Sequence, residues 1–179
     1  MKEILLIGCG HMGNALLNSW IGVNQYSFTV IDSYKYKFLK KKYSNKKIKI
    51  KKTILELKNL KNFYFIILAV KPVDLNSVLI QLNNLEINKN ISLISVIAGK
   101  KITSIKNKIG ISKNIFRVMP NMPASIGESM NCIVSSKKTN VLKKKEVIKL
   151  FSYSGKTLFF NNEDQIDRVT AISGSGPGF

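Results

Sequence analysis

The sequence predicts an α/β protein built on a doubly wound, mostly parallel sheet, and three observations support this. Short apolar runs of strand length alternate with segments of helical periodicity from residue 4 to residue 119. The first apolar run ends at a glycine cluster, residues 8–13, that opens a helix. No apolar run approaches the roughly 20 residues needed to span a bilayer. We therefore expect a cytoplasmic protein with no membrane partner.

Six strands are predicted before the pattern changes at Pro120 and Pro123. They cover residues 4–7, 28–31, 48–50, 63–70, 91–97 and 114–119, with helices over 11–22, 34–43, 73–82 and 102–109. A strand over 130–134, a helix over 141–151 and a strand over 156–160 follow. These later elements are expected to extend the sheet at its edge.

The charge of the chain favours an anionic ligand over a nucleic-acid partner. The formal net charge is +19, carried by 27 Lys and 2 Arg, alongside 18 Asn and 24 Ile. Arg is the side chain that reads bases and phosphates with a bidentate fork, and it is scarce here. The enrichment in Lys, Asn and Ile is typical of an A/T-rich coding sequence. We expect no nucleic-acid partner, while residues 35–52 form a positive field that attracts phosphates.

Metal and redox chemistry have little support in the composition. Cys9 and Cys132 share no ligand or redox spacing, and His11 is the single histidine. We expect free, inert thiols and no metal site. His11 is expected to fill space at the start of a helix or to contact a phosphate, and no proton transfer is assigned to it.

A dinucleotide-binding fingerprint lies at the N-terminus. Gly8, Gly10 and Gly13 have the spacing Gly-x-Gly-x-x-Gly, after a strand and before a helix. The first glycine permits the tight turn, the second lets the backbone approach a pyrophosphate, and the third allows close packing of helix on sheet. The free N–H groups at the helix start favour a phosphate. The fingerprint predicts a Rossmann-type cofactor site.

Asp32 ends the second predicted strand and favours NADH over NADPH. A carboxylate at this position accepts hydrogen bonds from the adenosine ribose and repels a 2′-phosphate. Lys35 and Lys37 lie close in sequence and can offset that repulsion. A second interpretation is that Asp32 caps the following helix, and both roles are compatible.

Several later motifs go beyond a general Rossmann domain. Residues 68–72, 95–99, 117–124 and 170–177, together with 7–13, closely resemble pyrroline-5-carboxylate reductase along all 179 residues. The resemblance implies hydride transfer from NAD(P)H to the imine of 1-pyrroline-5-carboxylate, giving L-proline, in a homo-oligomer. It also implies a Rossmann domain over residues 1–162 and the start of an all-α dimerisation domain over 163–179, where the chain ends.

The resemblance implies a role for each matching position. The pyrophosphate would meet the glycine loop, the ribose would meet Asp32 and Ser33, and the adenosine would lie near Glu56, where relatives have Asn. The remaining cofactor contacts follow strand ends. The complete cofactor set is Ile7, Gly8, Cys9, Gly10, His11, Met12, Gly13, Asp32, Ser33, Glu56, Ala69, Val70, Lys71, Pro72, Val96, Ile97 and Ala98.

Three residues are candidates for positioning substrate and nicotinamide. Lys71 would attract the substrate carboxylate, Asn121 would offer polar contacts, and Ser175 belongs to a Ser-Gly repeat, residues 173–176, expected to open a helix. The alternatives are a surface lysine, a turn residue between two prolines and a helix cap.

The family's helical domain is absent from the sequence, so we expect the chain alone to bind dinucleotide weakly and to turn over slowly or not at all. Two other functions stay open. One is a different small-substrate NAD(P)-dependent reductase, which substrate profiling distinguishes. The other is a non-enzymatic module that binds dinucleotide or, through its lysines, nucleic acid, which a steep salt dependence would reveal.

Overall fold

The computed structural model describes residues 1–44, 48–88, 90–109 and 114–175, without the side chains of residues 122, 123 and 170–175. Eight strands form one sheet: β1 (Lys2–Ile7), β2 (Tyr26–Ile31), β3 (Ile48–Lys51), β4 (Phe63–Leu68), β5 (Ser92–Ser95), β6 (Asn114–Met119), β7 (Ser129–Ser135) and β8 (Gly155–Phe159). The helices are α1 (His11–Trp20), α2 (Tyr36–Lys42), α3 (Leu75–Asn83), α4 (Ile102–Lys106), α5 (Val141–Ser152) and α6 (Glu163–Ser175), with short 3-10 helices at Ile54–Glu56 and Met122–Ile126.

The strand order is β3-β2-β1-β4-β5-β6-β7-β8. The first six strands are parallel, β7 runs antiparallel to β6, and β8 is parallel to β7. This is the doubly wound arrangement that the sequence predicts, including the extension of the sheet by the last two strands. The strand order reverses between β1 and β4, and the crevice at that switch point is the expected ligand site of such a sheet.

Alternating strand residues bury against helices on both faces of the sheet. On one face Ile4, Leu6 and Phe65 pack with Leu16 of α1 and Phe151 of α5. The other face belongs to α3, α4 and α6, and its cluster contains Leu5, Ile7, Ile66, Leu79, Ile105 and Ile166. The central strands β1 and β4 are mostly apolar because both of their faces are covered.

The last described helix corrects one prediction. The Ser-Gly repeat predicts a helix start, but α6 begins at Glu163 and residues 173–175 lie inside it. The start is fixed earlier because Asn162 Oδ1 accepts a hydrogen bond from Asp164 N at 3.0 Å, and Glu163 and Asp164 are acidic residues in the first turn. Gly176 lies outside the described residues.

Buried Arg117 on β6 holds this helix against the sheet. Its Nη1 lies 3.2 Å from Glu163 Oε1, and its Nη2 lies 2.7 Å from Asp167 Oδ1. Ile102 N also donates to Glu163 Oε1, at 2.8 Å, so the start of α4 joins the same cluster. The first turns of α6 thus pack on the sheet, and the domain division between residues 162 and 163 stays a prediction.

None of the helices in the described ranges is both long enough and apolar enough to cross a membrane.

Candidate functional site

The glycine loop between β1 and α1 has three distinct steric constraints. Gly8 has φ +89°, and a Cβ there would lie 2.6 Å from the carbonyl oxygen of Ala69. A Cβ on Gly13 would collide with the carbonyl oxygen of Gly8, because α1 packs directly on the loop. A Cβ on Gly10 would meet no atom of the described residues within 4 Å and would project into open space. The space above Gly10 is thus available for a ligand.

The start of α1 is free to bind an anion. Gly10 precedes the helix without a side-chain cap, and the first turn holds no acidic residue. The first helical N–H groups have no partner within a helix, and the helix dipole places partial positive charge on them. Loop and helix together, called the glycine cradle here, have the geometry that suits a phosphate.

Asp32, just after β2, is tied to the backbone on two sides. Its Oδ2 accepts a hydrogen bond from Cys9 N at 2.7 Å, which links it to the glycine loop. Its Oδ1 accepts from Tyr34 N at 3.0 Å and from Lys35 N at 2.7 Å. These bonds close the turn that precedes α2, whose N-cap is Lys35, so Asp32 does not cap that helix as the second interpretation expects. Its position beside the loop leaves the ribose role open.

A cavity of about 560 Å³, called the main cavity here, opens at the carboxyl ends of β1, β2 and β4. Its volume is in the range of small-molecule and cofactor sites. It is lined by Ile7, Gly8, Gly10, Ile31, Asp32, Ser33, Tyr34, Lys35, Lys52, Thr53, Ile54, Ala69, Val70, Lys71, Asp74, Ser77, Val78 and Gln81.

A second cavity of about 370 Å³ lies on the other side of the glycine loop. It sits between α1, α2 and the 3-10 helix Met122–Ile126, and it shares Gly10 and Lys35 with the main cavity. Its lining consists of Cys9, Gly10, His11, Met12, Asn14, Ala15, Lys35, Phe38, Lys42 and Ser125. Among the residues that the structure describes, neither an aspartate nor a glutamate lines it.

The structure brings most of the predicted cofactor residues to these two cavities. Gly13 lies beneath the loop, as its packing role requires. The residues after β5 do not line either cavity: Val96 and Ile97 are buried, and Ala98 is exposed at the same edge of the sheet. Val96 N donates to Leu68 O at 3.0 Å and so continues the strand pairing beside the end of β4.

Glu56 caps a short helix in the structure, and its place near the adenosine stays a prediction. Its Oε1 accepts hydrogen bonds from Lys52 N at 2.8 Å and Thr53 N at 3.0 Å, which closes a capping box on the helix Ile54–Glu56. These bonds lower the pKa of the Glu56 carboxyl. Glu56 does not line the main cavity, and its neighbours Lys52, Thr53 and Ile54 do.

The three positioning candidates have unequal surroundings. Lys71 is exposed and lines the main cavity. Asn121 Oδ1 accepts a hydrogen bond from Met130 N at 3.0 Å, so this side chain helps to hold the connection between β6 and β7. Ser175 lies in α6, where the backbone N–H groups bond to earlier carbonyls and are not free for an anion. Pro72 is exposed beside Lys71 and lines neither cavity.

Sequence reasoning missed the wall that α3 contributes. Asp74, Ser77, Val78 and Gln81 all line the main cavity. Their spacing of three and four residues is the signal, because it places them on one face of a helix. An apolar residue such as Val78 is normally assigned to the core, so the sequence does not distinguish it from a cavity-lining residue. Lys42 belongs to the predicted positive field of residues 35–52, but only Lys35 and Lys37 were singled out beside Asp32. Lys42 lines the second cavity with Lys35, which it follows by about two helical turns.

Cys9 is an unreactive part of the loop. Its side chain is fully buried, and burial together with the nearby Asp32 raises the pKa of the thiol to about 11. The raised pKa leaves the thiol protonated at neutral pH. Within the described part of the chain, no three His, Cys, Asp or Glu side chains are grouped to hold a metal ion.

The fold and the glycine cradle define the class: the protein has a dinucleotide-binding oxidoreductase fold of the Rossmann type. Residues 3–99 match the family model described as NADP oxidoreductase, coenzyme F420-dependent, and the chain belongs to that family.

Among curated relatives, the chain is 32% identical to pyrroline-5-carboxylate reductase of Methanosarcina acetivorans, over 99% of this chain and 65% of that relative. It is also similar to the crystal structure of Plasmodium falciparum pyrroline carboxylate reductase with NADP bound, at 29% identity and a TM-score of 0.80 over 98% of this chain and 63% of that one. A pyrroline-5-carboxylate reductase from Coxiella burnetii gives 26% identity and a TM-score of 0.83, over 98% and 65%. These matches confirm the resemblance that the motifs predict. The chain spans 63–65% of the length of these relatives.

Proposed function

We propose that the protein takes part in the reduction of 1-pyrroline-5-carboxylate to L-proline with a reduced nicotinamide dinucleotide. The observation that carries the proposal is the glycine cradle at the switch point of the sheet, in a chain similar to pyrroline-5-carboxylate reductases along nearly its whole length. The chain spans 65% of the length of that relative. The enzymatic activity is therefore proposed here and is not taken over from the relative.

The residues present fit a dinucleotide. The open space above Gly10 admits a pyrophosphate, and the uncapped start of α1 supplies N–H donors for it. Apolar side chains of Ile54 and Val78 face the main cavity and suit an adenine ring, beside the Asp32 carboxylate for the ribose. When bound, the reduced nicotinamide supplies a hydride to the imine carbon, and a proton adds to the imine nitrogen.

The protein's own contribution is positioning and electrostatics. The turn from β4 through Ala69 and Val70 to Lys71 continues the main cavity away from Asp32, and we assign the nicotinamide end to this side. The exposed ammonium group of Lys71 lies there and is suited to attract a substrate carboxylate. Asn121 and Ser175 remain proposed positioning residues.

Asp32 supports a preference for NADH. Its carboxylate lies where the second strand ends and lines the main cavity, so a 2′-phosphate placed against it would be repelled. Lys35 and Lys52 line the same cavity and reduce this repulsion. The proposed cofactor is therefore NADH or NADPH, with NADH favoured.

The test mixes the purified 179-residue chain, at a concentration equal to that of NADH, with 1-pyrroline-5-carboxylate. Equal concentrations make even a slow hydride transfer measurable in a single turnover. Any loss of the reduced-nicotinamide absorbance should be slow and should be matched by an equal amount of proline, identified by amino-acid analysis. Oxidation of NADH without formation of proline, or no binding of NADH, would contradict the proposal.

The alternative, a reductase of another small substrate, is tested in the same experiment. A panel of 2-keto acids and cyclic imines replaces pyrroline-5-carboxylate, with cofactor binding followed by nicotinamide fluorescence. Oxidation of NADH by a panel member, without oxidation by pyrroline-5-carboxylate, would favour the alternative.

A further inference from the structure

We infer that Glu163 is a positioning residue for the nicotinamide end of the bound dinucleotide. It acts through residues 96–101, which connect β5 to α4 and are called the β5–α4 turn here. The inference deepens the proposed function and rests on it, because it gives α6 a role in holding the wall beside the nicotinamide. Glu163 itself lines neither cavity.

The β5–α4 turn lies next to the proposed nicotinamide end. In the sheet, β5 follows β4 on the side away from Asp32. Val96 N donates a hydrogen bond to Leu68 O at 3.0 Å, so the turn begins directly beside the residues that follow β4. Gly99 within it has φ +69°, and a Cβ there would have no atom of the described residues within 4 Å. The turn thus has open space beside it at the carboxyl edge of the sheet, where ligands of this fold class bind.

The far end of this turn is held by Glu163. α4 begins at Ile102, and Lys101, the residue before it, forms no side-chain cap. Glu163 Oε1 accepts a hydrogen bond from Ile102 N at 2.8 Å. Because Ile102 is buried, loss of this carboxylate would leave its N–H without a partner, which is unfavourable in the interior. A carboxylate of α6 therefore caps α4 across the fold.

Glu163 is itself fixed by a buried charge. The same oxygen lies 3.2 Å from Arg117 Nη1, and the Arg117 side chain is 1% exposed. A buried guanidinium keeps its carboxylate partners close, because separation would leave an uncompensated charge. Asp167 Oδ1 is the second partner, 2.7 Å from Arg117 Nη2. Of these two carboxylates, Glu163 is the one that also bonds the start of α4 in the described part of the chain.

These contacts connect α6 to the cofactor site. Arg117 orients Glu163, and Glu163 fixes Ile102 N at the end of the β5–α4 turn. The ion pair between Lys101 Nζ and Asp164 Oδ1, 3.6 Å apart, lies at the same place but contributes little, since both side chains are more than half exposed. A turn that is held at both ends presents a preformed wall to the nicotinamide, so less entropy is lost on binding.

The experiment compares the dissociation constants of NADH and of ADP-ribose, which lacks the nicotinamide ring, by titration calorimetry. The ratio of the two constants isolates the nicotinamide end. Glu163→Ala removes the cap of α4 and one partner of Arg117. Asp167→Ala is the matched control, because it removes the other partner of Arg117 and leaves the cap in place. Glu163→Gln keeps an oxygen that can accept both hydrogen bonds.

We expect Glu163→Ala to weaken NADH about fivefold and ADP-ribose less than about twofold, a size typical of residues that act through others. Asp167→Ala and Glu163→Gln should leave the ratio within about twofold of that of the parent chain. Without any ligand, amide hydrogen exchange of Ile102, followed by NMR, should be faster in Glu163→Ala and unchanged in Asp167→Ala.

Circular dichroism and the melting temperature verify that the variants fold. If Glu163→Ala does not fold, Glu163→Asp takes its place, because it keeps the charge near Arg117 and shortens the reach to Ile102. The same change of the ratio is expected in that variant.

An equal change of the ratio in Glu163→Ala and Asp167→Ala would overturn the inference, because the effect would then come from loosening of α6 and not from the cap. An unchanged ratio in Glu163→Ala would overturn it as well. Failure of the proposed function is separately visible. A parent chain that binds neither ligand would contradict the proposed function and this inference with it, whereas a parent chain that binds both ligands equally would contradict the inference alone.

Discussion

At the residue scale, the three glycines of the loop are required for different reasons: backbone conformation, packing and ligand access. Gly8 needs a positive φ and lies against Ala69, and Gly13 packs against the Gly8 carbonyl. Substitution of either residue would strain the fold itself. A Cβ on Gly10 would have no atom of the described residues within 4 Å. The fold therefore does not require glycine at this position, but close approach of a ligand does.

This difference gives a clean test at Gly10. We expect Gly10→Ala to keep the melting temperature of the parent chain and to weaken NADH binding at least about tenfold, because the methyl group enters the space proposed for the pyrophosphate. Nicotinamide fluorescence and differential scanning calorimetry are the measurements. Gly22→Ala is the matched control, since Gly22 also has open space around it and lines neither cavity. Unchanged NADH affinity in Gly10→Ala would show that the cradle is not where the dinucleotide binds.

At the scale of elements, two helices are attached to the sheet by buried or half-buried charge. Arg117 binds α6 through Glu163 and Asp167, as described above. On the other face, Glu146 of α5 accepts hydrogen bonds from Lys2 Nζ of β1, at 2.7 Å, and from the Tyr64 hydroxyl of β4. The two attachments lie on opposite faces of the sheet. They fix the positions of α5 and α6 along the strands, because hydrophobic contacts alone are not directional.

The carboxyl of Glu146 has its pKa raised by burial, but the hydrogen bonds from Lys2 and Tyr64 and the charge of Lys143 outweigh this and leave it below the usual value. A lowered native pKa means that the unfolded chain takes up the proton first as pH falls. The contribution of Glu146 to stability is therefore complete above the pKa of the unfolded chain, about 4.3, and is lost as pH falls through the native value.

We expect Glu146→Gln to lower the free energy of unfolding by about 1–2 kcal/mol at pH 7, because charge-assisted hydrogen bonds become neutral ones. The deficit should be smaller at about pH 3 than at pH 7, because the parent carboxyl takes up its proton as pH falls through its lowered native pKa. Urea denaturation at both pH values measures it. Glu86→Gln, which removes an exposed ion pair with Lys61, serves as the control and should cost less than about 1 kcal/mol at either pH. An equal deficit for Glu146→Gln at both pH values would show that charge is not its cause.

At the scale of the whole molecule, the ligand site is a property of the topology. The main cavity is built from the ends of β1, β2 and β4, the end of β3 and one face of α3, which are far apart in sequence. A ligand bound there contacts elements on both sides of the point where the strand order reverses. Its binding free energy should therefore stabilise the folded chain as a unit.

We expect NADH at about 100 times its dissociation constant to raise the free energy of unfolding by about 2.7 kcal/mol. For a chain of this size, that corresponds to an increase in melting temperature of about 5–10 °C. Thermal unfolding followed by circular dichroism, with and without NADH, measures the shift. The Gly10→Ala variant should show little of it at the same NADH concentration, and an equal shift in that variant would argue for binding elsewhere.

Much of the fold could be predicted because its signals are local. The runs before Gly8 and Asp32 are mostly apolar, as is typical of strands covered on both faces, and the glycine spacing follows a motif of about six residues. The predicted start of α6 is wrong because the Ser-Gly repeat resembles a helix start, while the acidic first turn at Glu163 and the Asn162 cap lie well before it. Both signals are present in the sequence, and only the hydrogen bonds decide between them.

The sequence by itself determined the class of sheet, the position of the glycine cradle and the placement of Asp32 beside it, because each depends on the order of residues along one βαβ segment. The tertiary structure decided that Glu56 caps a 3-10 helix and that α3 lines the main cavity. It also decided that Lys42, and not Lys37, lines the second cavity together with Lys35. These outcomes depend on which face of an element meets its neighbours. That is set by the packing of distant segments, which no local pattern contains.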